Sequence, residues 1–161
     1  MSDAFARRLG TLAGTPGVDV VSRTASGAVL SCPVDVFRAE SALRAEVFGP
    51  AVLFVRYRTR EDLLAIADLL TGELTATLHG TEAELAELAE LVDELSTRVG
   101  RVLWNGYPTG TPETAAMHHG GPYPAATDSR YTSIGPAAIQ RFVRPVVFQN
   151  FPSRLLPAPL R

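Results

Sequence analysis

Two threonines set the strongest constraint on this chain: Thr59 is followed three residues later by Asp62, and Thr81 by Glu84. In such a pair the hydroxyl accepts the N–H at the third helical position while the carboxylate reaches back to the threonine N–H, so each marks a helix start. Each comes soon after a short apolar run, Ala51 to Val55 before the first and Leu74 to Leu78 before the second. A further strand, Arg101 to Asn105, is expected after the second helix. Strand, helix, strand, helix, strand predicts the α/β class: a mostly parallel sheet with flanking helices and right-handed crossovers.

The helix after Thr59 carries Leu63, Ile66, Ala67 and Leu70 on one stripe and is expected to end at Gly72. The helix after Thr81 reads as continuous, with Leu85, Leu88, Val92, Leu95 and Val99 against the sheet, Glu82, Glu87, Glu90 and Glu94 in water, and Gly100 as its terminal glycine. Nearer the start, Ser2 is the expected cap of a helix bearing Phe5, Leu9 and Leu12 on one face. Short strands are expected over residues 18–22 and 28–34, and a turn of helix around Ser41 to Arg44. Ala51 to Val55 is apolar at every position, as in a strand covered on both faces.

From Tyr107 to Thr132 periodicity vanishes, and a loop this long (107–132) in a compact domain is usually functional or disordered. Ser133 then reads as the cap of a last helix carrying Ile139 and Phe142, and residues 145–149 as a terminal strand opening a tail over 145–161. With 161 residues, 46% of them apolar, the chain is read as one domain over 1–161.

Fifteen basic residues against seventeen acidic ones leave a net charge of −2, without a basic block, so nucleic acid is not an expected partner. Every basic residue is Arg, which excludes Schiff-base lysine chemistry and a P-loop lysine. The single cysteine, Cys32, excludes an intrachain disulfide and points to a reducing compartment. The first ten residues carry Asp3, Arg7 and Arg8 instead of a signal-peptide core, and no apolar run approaches the ~20 residues of a membrane span. The expectation is a soluble, cytoplasmic chain.

Cys32 could act as a nucleophile with His118 or His119 as base and Asp128 as orienter. It lies in an apolar strand pattern, however, where a free cysteine usually behaves as a small buried hydrophobe. Adjacent histidines on a loop point in different directions and lack a third ligand, so no metal site is expected. Neither a Gly-x-Gly-x-x-Gly after a strand nor a Gly-x-Ser-x-Gly elbow occurs. There remains Glu46-Val47-Phe48-Gly49-Pro50, where the Gly-Pro pair stops any regular element and holds the preceding side chains on a loop at a strand entrance. A carboxylate suits paired sugar hydroxyls and a ring suits a flat heterocycle, the two demands of a nucleotide cofactor. The plainer alternative is a core Phe48 beside a solvated Glu46.

This segment resembles the Glu-x-Phe-Gly-Pro segment of the aldehyde dehydrogenase superfamily. Residues 72–80, 100–110, 119–125, 128–130, 132–135 and 141–146 are similar, in family order, to the branch that oxidises 2-oxoglutarate semialdehyde (2,5-dioxopentanoate). The match covers nearly the whole chain but only the C-terminal third of such an enzyme. The resemblance implies part of an aldehyde dehydrogenase catalytic domain with a C-terminal strand of the oligomerisation type, formed by Val146 to Phe148. It implies NAD or NADP as the cofactor of the complete enzyme, with Glu46 on the nicotinamide ribose hydroxyls and Phe48 beside the nicotinamide. Asn105, Tyr107 and the 107–132 loop would line the substrate funnel.

The family's nucleophilic cysteine lies upstream of everything matched, so no catalytic residue is transferred and Cys32 does not receive that role. Expected partners are the N-terminal part of the enzyme or further copies of the chain, with an aldehyde as substrate of the whole. Alone, the chain is expected not to oxidise aldehydes and to bind the cofactor weakly or not at all. Glu113 departs from the family pattern and would repel a carboxylate-bearing substrate if it faced the funnel. The alternatives are a non-catalytic assembly module derived from the same family and an independent thiol enzyme built on Cys32.

Overall fold

Helix α1 (Asp3–Ala13) buries Phe5, Leu9 and Leu12 along one side. Ser2, its expected cap, lies outside residues 3–160, the part of the chain that the computed structural model describes. Strand β1 (Asp19–Arg23) runs antiparallel to β2 (Ala28–Pro33), which pairs in parallel with β3 (Ala51–Arg56) to give a sheet in the order β1-β2-β3. Between β2 and β3 the chain forms α2 (Val34–Ala39) and the expected turn, a 3-10 helix over Ser41–Arg44. Helix α2 escaped the sequence reading because its β-branched Val34 and Val36 continue the strand pattern of β2. Leu30 and Cys32 from β2 pack with Phe5, Leu9 and Leu12 of α1 and with Phe37 of α2 to form the first core.

Only one face of β3 joins that core. Val52 and Phe54 are 52% and 59% exposed, so the expected cover on both faces is not met within this chain. The remaining strands, β4 (Glu73–Leu78) and β5 (Val99–Trp104), pair in parallel as a second sheet, so the parallel strands fall into two sheets instead of one.

Both capping boxes form. Thr59 Oγ1 accepts the Asp62 N–H at 3.3 Å while the Asp62 carboxylate accepts the Thr59 N–H at 3.1 Å, starting α3 (Arg60–Asp68). Thr81 and Glu84 do the same at 3.3 and 2.7 Å for α4 (Glu82–Glu87). Thr59→Ala is expected to lower the unfolding free energy by about 1 kcal/mol. Urea denaturation checks this, and an unchanged midpoint would show the hydroxyl contributes nothing.

Helix α3 ends before Gly72, with Leu69 as its C-cap. The helix expected to run unbroken after Thr81 is interrupted at Leu88, with φ −105° and ψ 19°, before α5 (Ala89–Arg98). The break rotates the following turns, so Leu91 joins Leu95 and Ala67 in the second core, which the expected stripe had passed over. Glu94 is not free in water: its carboxylate accepts a 2.8 Å bond from Arg98, which also reaches Asp68 and the Leu70 carbonyl.

The last expected helix is a 3-10 segment, Pro136–Phe142, capped by the backbone of Gly135 and not by Ser133, and both Ile139 and Phe142 are exposed. Residues 145–149 form no strand. A strand needs a neighbour for its N–H and C=O groups, and none of the described residues supplies one. No helix among the described residues is long and apolar enough to cross a membrane.

Candidate functional site

The backbone of the Glu46–Pro50 loop is held from three directions. Arg8 Nη1 donates to the Glu46 carbonyl at 2.8 Å, and the Pro50 carbonyl accepts the Ala28 N–H at 3.1 Å. The Phe5 ring packs so closely on Gly49 that a Cβ there would lie under 3.0 Å from it. The Glu46 and Phe48 side chains, by contrast, are exposed, while Val47 between them packs against the first core. Phe48 is 86% exposed, which removes the plain reading of a core phenylalanine.

Glu46 lines a cleft of about 740 Å³ with Arg44, Gly72, Glu73, Leu74 and Ala125. Burial, and then the neighbouring Glu46 carboxylate, pushes the Glu73 carboxyl above its ordinary range. Arg44 does not neutralise the pair through its Nη1, which donates to the Phe37 and Arg38 carbonyls. Phe48 lies on the same loop but outside the cleft wall.

A second cleft, of about 630 Å³, is lined by Leu74, His119, Ala125, Asp128, Tyr131 and Arg141. Its loop is built by local bonds. Ser133 donates to the His119 carbonyl through its hydroxyl at 2.9 Å and its N–H at 3.0 Å, and the His119 N–H donates to buried Thr132 Oγ1 at 2.9 Å. Arg130 donates to Asp128 from its backbone N–H and from Nε, both at 3.0 Å, and from Nη2 at 2.7 Å. Those bonds hold the Asp128 carboxyl down at about 2 and push the Arg130 guanidinium up.

Glycines let this loop lie directly on the second sheet. A Cβ on Gly100 would come within 2.9 Å of the Gly121 Cα, and one on Gly72 within 2.6 Å of the Pro122 carbonyl. Gly100 is therefore a residue of β5 under a crossing backbone, not the helix terminator expected from its position.

Asn105 and Tyr107 sit at the opposite end of β4 and β5. Asn105 takes a left-handed φ of 48°, and its amide clamps Gly80, donating to the carbonyl at 2.8 Å and accepting the N–H at 2.9 Å. Tyr107 is 77% exposed, its ring 5.5 Å from that of His79. Six residues of β4 span roughly 17 Å, so the structure does not bring Asn105 and Tyr107 together with Glu46.

Cys32 is fully buried among Phe5, Leu9 and Leu30, and burial pushes its thiol up although Arg56 opposes the shift. His119 and Asp128 line the loop cleft on the second sheet, so the thiol reading has neither base nor orienter beside its sulfur. Among the described residues no group of three or more His, Cys, Asp or Glu could hold a metal ion. The sequence reading missed Glu73 and Arg141. Glu73 follows a glycine at a strand start, while Arg141 falls inside what read as an ordinary helix.

No family model matches the chain. Over its whole length it is 40% identical to alpha-ketoglutaric semialdehyde dehydrogenase 2 of Azospirillum brasilense. Over 74% of its length it is 46% identical to alpha-ketoglutaric semialdehyde dehydrogenase of Acinetobacter baylyi. The chain spans 32% and 23% of those proteins.

Among solved structures, aldehyde dehydrogenase C of Pseudomonas syringae, held with NAD+ and octanal, matches 75% of this chain and 26% of its own at TM-score 0.52 and 23% identity. Betaine aldehyde dehydrogenase of Staphylococcus aureus, held with NAD+, matches 88% of this chain and 29% of its own at TM-score 0.55 and 14% identity. These two establish the partial fold, and the curated relatives the lineage: the chain belongs to the aldehyde dehydrogenase superfamily, in the alpha-ketoglutaric semialdehyde dehydrogenase branch.

Proposed function

We propose that the chain serves as the C-terminal part of the catalytic domain of an NAD(P)-dependent aldehyde dehydrogenase that oxidises 2-oxoglutarate semialdehyde to the acid. The observation that carries this is the 40% identity across the entire chain to a semialdehyde dehydrogenase of which it spans 32%. In this reading Glu46 accepts the two nicotinamide ribose hydroxyls and Phe48 limits movement of the nicotinamide. The local structure fits the cofactor: the Glu46 carboxylate receives no hydrogen bond from any described residue and borders an open cleft, and the Phe48 ring is free to stack. When bound, the nicotinamide supplies the hydride acceptor. The chain's own part is to hold and orient it. Asn105, its amide committed to Gly80, shapes the turn that carries Tyr107 at the far end of β4 from the Glu46 cleft.

No residue here takes the role of nucleophile, so the chain alone has no turnover. The rest of the enzyme and further copies of the chain are its partners in this reading. A second reading, a non-catalytic assembly module, draws support from the exposed Phe142, Val146, Val147 and Phe148 along a segment without sheet partners. Sedimentation at micromolar concentration tests it, and a clean monomer counts against it.

For the cofactor role, Glu46→Gln is expected to weaken NAD+ binding about 10-fold, the worth of a charge-assisted hydrogen bond. NMR titration of the chain with millimolar NAD+ measures this. Equal affinities would remove Glu46 from the cofactor site.

A further inference from the structure

The two clefts share three wall residues, Leu74, Pro124 and Ala125, so they adjoin around the start of β4. On the Glu46 side two carboxylates, Glu46 and Glu73, stand beside a single cation, Arg44, whose Nη1 is engaged by the Phe37 and Arg38 carbonyls. On the other side the charge reverses: Asp128 is neutralised by Arg130, whereas Arg141 makes no hydrogen bond or ion pair with any described residue. Tyr131 and Ser133 stand in the same wall as Arg141, and the shared residues between the two ends are mainly apolar. A cation at one end, a carbon-lined middle and a cofactor-side opening at the other are what a short acidic aldehyde requires.

We propose that Arg141 anchors the carboxylate of an oxo-acid substrate, directing its aldehyde end past Leu74 and Ala125 toward the Glu46 cleft. The proposal rests on the aldehyde dehydrogenase reading and adds to it the residue that selects an acidic aldehyde over a neutral one. The guanidinium's forked donors match a carboxylate in two parallel bonds. A cleft of about 630 Å³ has room for a five-carbon diacid skeleton. Glu113 lines neither cleft, so the repulsion expected from it does not fall on this route.

The test is an NMR titration of the 161-residue chain with 2-oxoglutarate, its dimethyl ester and NAD+, using wild type, Arg141→Gln and Arg141→Lys of matched thermal stability. Loss of a charged hydrogen-bonded pair should weaken 2-oxoglutarate binding about 10- to 100-fold in Arg141→Gln, with part of it retained in Arg141→Lys. The ester should bind no variant better than the acid binds Arg141→Gln, and NAD+ affinity should not change. Equal acid binding by wild type and Arg141→Gln, ester binding as tight as acid binding, or no acid binding to wild type overturns the proposal. If NAD+ depends on Glu46 while the acid ignores Arg141, the inference fails alone. If the acid depends on Arg141 while NAD+ ignores Glu46, the anchor stands and the cofactor reading fails.

Discussion

Leu30→Ala is expected to reduce the unfolding free energy by about 2–5 kcal/mol, the range for removing a buried leucine whose surroundings cannot collapse into the space. Leu30 is 1% exposed at the middle of the central strand β2, opposite Val20 of β1 and Leu53 of β3, and belongs to the core that α1 and α2 cover. Neighbours on two strands are held by ladder bonds, so the cavity stays open. Urea unfolding followed by circular dichroism measures the loss. A change below about 1 kcal/mol would place the centre of the first core elsewhere.

Gly100→Val should cost about 1–3 kcal/mol from overpacking and should also weaken ligand binding in both clefts. The added carbons would meet the backbone of Gly120 and Gly121, which cannot move aside as a flexible side chain would, so the loop must lift from β5. That loop continues into Pro124 and Ala125, the walls common to both clefts. Gly10→Ala is the control. Nothing lies within 4 Å of its added Cβ in α1, so it should be neutral or stabilising by up to about 1 kcal/mol. Thermal unfolding of the two variants side by side decides the matter, and equal melting temperatures would show that the loop does not rest on β5.

The loop position of Glu46 and Phe48 was legible because Gly-Pro forces a loop wherever it stands, and the exposed Phe48 ring follows from that loop being pinned through its backbone. Asn105 was legible as a residue at a strand end, but its clamp on Gly80 depends on where β4 finishes, which no residue near Asn105 records. Arg141 opens a segment that resembles the family, residues 141–146, but nothing in that pattern assigned it a role. An arginine in a short helical pattern looks the same whether it meets solvent, an acid or an open cleft.

The amino-acid order alone was sufficient for what acts over four residues or fewer: the capping boxes at Thr59 and Thr81, the buried stripe of α1 and the alternation of strand and helix. Backbone hydrogen bonds and side-chain periods operate at that range, so their residues lie side by side in the chain. Tertiary packing alone decided that Gly100 lies under a crossing loop, that residues 145–149 find no strand partner, and that the Glu46 and Arg141 clefts share a wall. Those outcomes rest on close contact between segments far apart in the chain, where steric exclusion and unpaired backbone groups set the energy and leave no periodic trace in the residues themselves.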